Sequence, residues 1–184
     1  TGGAVHDCGH KKWTNFAERK RFADSFAHHP SASLASIVGH VMEDVSVDRN
    51  EIEAVPAHES VIQALWEVLV ARLESVVAAD AETNAFQRYV LYRARCSVLS
   101  FPELQKAHDR ATQRFWAVTS RETFEKVTKA CDDIDQISST ADGVKAAQRV
   151  LQAFGVSSSQ FREDGQEKAP EGPASGSSQD APSV

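Results

Sequence analysis

Apolar side chains recur at helical spacing through most of the chain, which predicts helices and no strand of any length. A first helix is expected over 14–28, with Asn15 and Glu18 at capping-box spacing, Phe16, Phe22, Ala23 and Phe26 on its apolar side, and Pro30 closing it. A second follows Ser31 or Ser33 and carries Leu34, Ile37, Val38, Val41 and Val45 on one face. Residues 46–56 are expected to form the long connection of the folded part. A third helix, opened by Pro56, bears Val61, Ile62, Leu65, Trp66, Val68, Leu69, Leu73, Val76 and Val77, apolar nearly all round, which marks it as the central buried helix.

The second half is more regular. Ala85, Tyr89, Tyr92, Cys96 and Leu99 form a seam over 81–99. Ser100 and Glu103, with Pro102, open a helix with Leu104, Ala107, Ala111, Phe115 and Val118 inside. Thr119 and Glu122 open another that buries Phe124, Val127, Cys131, Ile134 and Ile137. Ser139 or Thr140 caps the last, whose face is Val144, Ala147, Val150, Leu151 and Phe154, and Gly155 suits a left-handed C-terminal cap. The expected fold is all-α, with about seven helices arranged as antiparallel helical hairpins, in a repeat-like array or an irregular bundle, with extended termini. Its parts are an N-terminal arm with a basic amphipathic helix (1–29), a helical-hairpin domain (30–156) and an extended polar tail (157–184).

Composition narrows the function. With 184 residues and 41% hydrophobic content there is material for a single core, and no stretch is apolar enough to predict a membrane span. A net charge of −6 argues against a nucleic-acid binder working through a basic field. Three cysteines, Cys8, Cys96 and Cys131, read as reduced thiols and not as a disulfide framework. Thr1 stands first and Met42 is the only methionine, so a targeting presequence is expected to have been removed, with the mitochondrion as the expected compartment and a peripheral, non-transmembrane location. Residues 157–184 hold Phe161 as their only large apolar side chain and cannot offset their own ordering entropy; a partner surface is expected to hold them.

Charge is distributed unevenly. Lys11, Lys12, Arg19, Lys20 and Arg21 cluster near Trp13, Phe16 and Phe22, a pattern suited to an acidic protein groove or an anionic membrane surface. The next stretch is acidic, with Glu43, Asp44, Asp48, Glu51, Glu53 and Glu59 against Arg49. Aromatic and arginine anchors dominate interfaces, so Trp13, Phe16, Arg19, Lys20, Arg21 and Phe161 are the expected partner contacts.

The sharpest chemical string is His6-Asp7-Cys8-Gly9-His10. Its imidazoles, thiol and carboxylate suit zinc or iron, with His28 or His29 able to complete the set. The string resembles the first histidine box of membrane fatty-acid desaturases and, with Asn15, the metal-binding motif of cyclic-nucleotide phosphodiesterases. Both families require spans or further ligands that this sequence lacks, so neither is assigned. Cys96 and Cys131 fall on apolar seams and read as small hydrophobes. No catalytic group, cofactor or metal ligand is assigned. The expectation is a non-catalytic accessory subunit bound to other protein subunits, similar in layout to those of mitochondrial energy-converting complexes such as ATP synthase or a respiratory complex. The alternatives are a small metal-binding protein or metal-dependent enzyme built on the His-Asp-Cys-Gly-His string, and a free-standing helical-repeat adaptor.

Overall fold

A computed structural model describes residues 2–76 and 81–158. The protein is all-helical: α1 (Gly2–Trp13), α2 (Phe16–Ser25), α3 (Ala32–Ala54), α4 (His58–Ser75), α5 (Glu82–Cys96), α6 (Pro102–Val118), α7 (Arg121–Ala130) and α8 (Thr140–Ala153), with a 3-10 turn at Ile134–Gln136 between the last two. Among the described residues there is no strand, and no helix is long and apolar enough to cross a membrane.

Local chemistry sets several boundaries. Asn15 accepts from the backbone N–H groups of Ala17 and Glu18, Ser120 from Thr123, and Ser139 from Asp142, each satisfying a donor that the first turn leaves open. Ser120 thus takes the place expected for Thr119, whose hydroxyl donates to Glu82 instead. Before α6 the cap position is Phe101, with no side-chain cap from Ser100. Gly155 has φ of 92°, the left-handed conformation expected of it.

Three expectations need correction. Residues 2–13, read as a polar arm, form α1. Residues 46–54, read as a connection, continue α3 without a break, because Ser46, Val47, Asp48 and Glu51 are buried by neighbouring helices. The central helix is consequently α3 and not α4. Helix α3 packs against α1, α2, α4, α5 and α8, whereas α4 buries Ile62, Trp66 and Val70 and leaves Val68 66% exposed. Val77 and the tail from Ser159 onward, Phe161 included, lie outside the described residues.

Two apolar clusters result. The larger joins Phe22, Val38, Met42 and Val45 to Phe86, Tyr89, Phe115, Val127, Ile134, Val150 and Leu151, drawing on α2, α3, α5, α6, α7, the 3-10 turn and α8. The smaller lies between α4, α5 and α6, around Ile62, Trp66, Tyr92, Leu99 and Leu104. Cys131 is buried in the larger cluster and Cys96 packs against the smaller; burial pushes their thiols up to about 12 and about 11, so neither is a thiolate near neutrality.

A polar cluster sits at the edge of the smaller core. Glu74 Oε1 accepts from the Tyr92 hydroxyl at 3.0 Å, and its Oε2 accepts from Arg110 Nε at 2.7 Å. Arg88 Nη1 lies 3.5 Å from the same Oε1 and also donates to the Leu73 carbonyl at the end of α4. Every partner of this carboxylate is a donor.

Candidate metal centre between α1 and α3

The second polar cluster lies where α1 crosses α3. A four-residue interval on a helix returns a side chain to the same face, so helical winding of residues 2–13 places His6 and His10 side by side. The same arithmetic on α3 aligns His40, Asp44, Asp48 and Glu51. Cys8, two positions from each histidine, falls on the exposed side of α1, away from both. The sequence string is therefore split by the helix: its histidines converge and its thiol does not.

Arg95 of α5 orients the carboxylates. It is fully buried, stacked on the Trp66 ring at 4.3 Å, and donates through Nη1 to Asp48 Oδ2 at 2.6 Å and through Nη2 to Asp44 Oδ2. The fork thus occupies one oxygen of each aspartate and leaves both Oδ1 atoms facing the histidines of α1.

Proton placement follows from partners. His6 Nδ1 lies 2.7 Å from Asp48 Oδ1, a carboxylate that only accepts, so His6 carries its proton on Nδ1 and presents a lone pair at Nε2. His10 Nδ1 lies 3.1 Å from Thr14 Oγ1, a hydroxyl oxygen that can accept from it; in that tautomer Nε2 of neutral His10 is likewise an acceptor. The two Nε2 atoms are 3.1 Å apart, and they lie 3.7 Å and 3.1 Å from Asp44 Oδ1. Three acceptors therefore meet at one point, and Asp44 Oδ1, on a side chain only 8% exposed, has no aligned hydrogen-bond donor.

Two kinds of cation can fill such a point. A proton on His10 is one: the Asp44 carboxylate and then Glu43 raise this imidazole to about 9, against the opposing effect of burial. Burial pushes the Asp44 carboxyl up, but Arg95 and His10 outweigh it and hold Asp44 below the usual carboxylate range. A metal ion is the other. The triangle's edges of 3.1, 3.1 and 3.7 Å bracket the ~3.3 Å ligand separation of a tetrahedral ion with bonds of ~2.0 Å. His6, His10 and Asp44 bring their ligand atoms within 4.8 Å of one another.

The rim is built by α2 and α3. Arg19 Nη2 donates to His40 Nδ1 at 2.8 Å and Nη1 lies 2.9 Å from Glu43 Oε2. Because His40 Nδ1 accepts, its proton resides on Nε2, 3.7 Å from Asp44 Oδ1; His40 faces the cluster as a donor and not as a fourth ligand. Burial, with Arg19 and His10 adding to it, lowers the His40 pKa and keeps this ring neutral.

The residues expected to contact partners are dispersed. Trp13 is half-buried and donates from Nε1 to Glu51 Oε2 at 2.9 Å, so it and Arg19 spend their polar atoms inside the chain. Phe16 is 57% exposed, Lys20 pairs with Asp24 at 2.6 Å, and Arg21 is exposed beside a cleft of about 550 Å³ between α2 and α8. His28 is exposed and His29 Nδ1 accepts from the Ser31 backbone; neither reaches the α1 histidines. Asp44, Asp48 and Arg95 are the residues that sequence reasoning missed, although the acidic spacing on α3 carried the signal. No family model, curated protein or solved structure matches this chain.

Proposed function

We propose that this protein binds a divalent transition-metal ion, zinc by the chemistry of its donors, through His6 Nε2, His10 Nε2 and Asp44 Oδ1. One observation carries the reading: three acceptor atoms, each with a partner on its far side, converge on a partly buried point. Metal-bound imidazoles characteristically donate their second N–H to a carboxylate or another acceptor, and Asp48 and Thr14 fill that role here. Three protein ligands leave one tetrahedral position for water or a small anion.

Titration of metal-stripped protein with Zn²⁺ by calorimetry tests this, with Co²⁺ visible absorption reporting tetrahedral geometry. Saturable binding of one ion per chain is expected. His6→Ala and His10→Ala should each weaken it by at least ~100-fold, beyond the usual effect of an outer-shell change. Cys8→Ser should leave it unchanged. No saturable binding, or binding that survives His10→Ala and vanishes in Cys8→Ser, overturns the assignment.

A second reading, a non-catalytic accessory subunit of a multi-subunit assembly such as a mitochondrial energy-converting complex, is favoured by the exposed Phe16, Val68 and Trp116. The packing of α5 on α6 and of α7 on α8 suits an array of helical hairpins in such a role. Native purification tests it: co-purifying subunits support it, and a solitary chain counts against it.

A further inference from the structure

Helix α1 is held in an unusual way. Three of its residues, Gly2, Gly3 and Gly9, are glycines, each worth up to ~1 kcal/mol against helix formation relative to alanine in a helix interior. Gly9 is its only buried residue, and Val5 and Trp13 are half-buried. Its apolar hold is slight, Val5 alone packing against the smaller core. To this is added a polar row: His6 on Asp48, His10 beside Asp44, and Trp13 on Glu51, all reaching acids of α3. The glycines serve the approach. A Cβ at Gly9 would lie 2.8 Å from Val47 Cγ1, and one at Gly2 would lie 2.7 Å from the Val61 carbonyl oxygen, so α1 rests close against both α3 and α4.

We infer that metal occupancy governs the docking of α1, making the protein a metal-responsive switch whose moving part is its first helix. The inference rests on the metal reading above. The donors are divided between the mobile and fixed parts: His6 and His10 belong to α1, Asp44 to α3, and the ion is complete only when the two helices are together. An undocked α1 offers two imidazoles on a glycine-rich segment with little helix propensity, and the body offers a single carboxylate. The docked state therefore binds the ion far more tightly, and a ligand shifts a two-state equilibrium by that difference. Release of α1 would open Val47 of α3 and the Val61–Leu65 face of α4, together with one side of the Asp44–Arg95–Asp48 network. The metal state would thus be read out as access to that surface.

Amide hydrogen exchange on the full chain, metal-stripped and Zn²⁺-loaded, tests the coupling, with calorimetry on the same samples. Residues 4–13 should exchange at least ~10-fold more slowly with Zn²⁺, while amides of α5 and α6 away from the site change little. His10→Gln should abolish the α1 effect and leave α5 and α6 protection as it was. Zinc binding with unchanged exchange in α1 overturns the switch and leaves the metal assignment standing. A lack of zinc binding overturns both. Equal protection gained throughout the chain also overturns the switch, because it reports a general gain in stability.

Discussion

Glu74 and Asp44 are both helix carboxylates beside an arginine, and the two clusters differ in what surrounds the oxygens. Around Glu74 the neighbours donate: a tyrosine hydroxyl and two guanidinium groups supply donors to both oxygens. Around Asp44 one oxygen is held by Arg95, and the other faces the Nε2 atoms of His6 and His10, which both accept when His10 is neutral. The first is complete as a structural ion cluster; the second needs a cation that the chain does not itself supply except as a proton on His10. Donor and acceptor direction, not the mere density of charge, separates a structural cluster from a ligand sphere.

The sharpest way to stress this contrast is to remove the arginine from each. Arg95→Met should cost about 3–5 kcal/mol in denaturant unfolding, since it strands two buried carboxylates. Arg110→Met, at a half-exposed pair, should cost no more than about 1 kcal/mol. Equal costs would erase the distinction. Next in size is the response to metal. Zn²⁺ at a hundredfold excess over its dissociation constant should add about 2.7 kcal/mol of stability. That gain should vanish in the His6→Ala variant and persist in Glu74→Gln. Smaller and of less obvious sign is Gly9→Ala. Alanine favours an isolated helix by up to ~1 kcal/mol, but crowding against Val47 costs ~1–3 kcal/mol in the docked one, so zinc affinity should fall. An increase would mean that α1 docks less closely than described. The smallest effect concerns acid. Burial pushes the Glu74 carboxyl up, but Arg110 and Tyr92, with Arg88 adding to them, outweigh it and lower the pKa from its ordinary value near 4.5. A lowered carboxylate contributes stability above its unfolded pKa and loses it as pH falls through the folded one. Glu74→Gln should therefore flatten the stability profile below about pH 4.5 and leave the zinc response untouched.

How much of this was legible in the sequence differs by region. From α5 to α8 the seams of Tyr89, Leu104, Phe115, Val127 and Val150 marked the helices, because each buries one apolar face. The seam expected to run on to Ile137 nonetheless breaks after Ala130, and Ile134 is buried from a 3-10 turn. Helix α1 was hidden by its glycines, which argue for a loop unless the close approach to Val47 and Val61 is known. The second half of α3 was hidden for the opposite reason. Asp48 and Glu51 look like loop residues, yet they are buried because Arg95, His6, Trp13 and His58 come from three other helices to meet them. His6 and His10 were visible as candidates; Asp44 and Arg95 became partners only through tertiary packing, which leaves no local period to read. Cys8 drew attention by adjacency, and helical geometry turned it outward.

Helix α3 carries an oily stripe through Val38, Met42 and Val45 and an acidic one through Asp44, Asp48 and Glu51 on the same 23-residue rod. Inserting or deleting a single amino acid near Ser46 would rotate everything beyond it by about 100°, putting both stripes out of phase with their neighbours at once. A change in the length of this rod would therefore cost both stripes together, whereas a substitution on it disturbs one at a time.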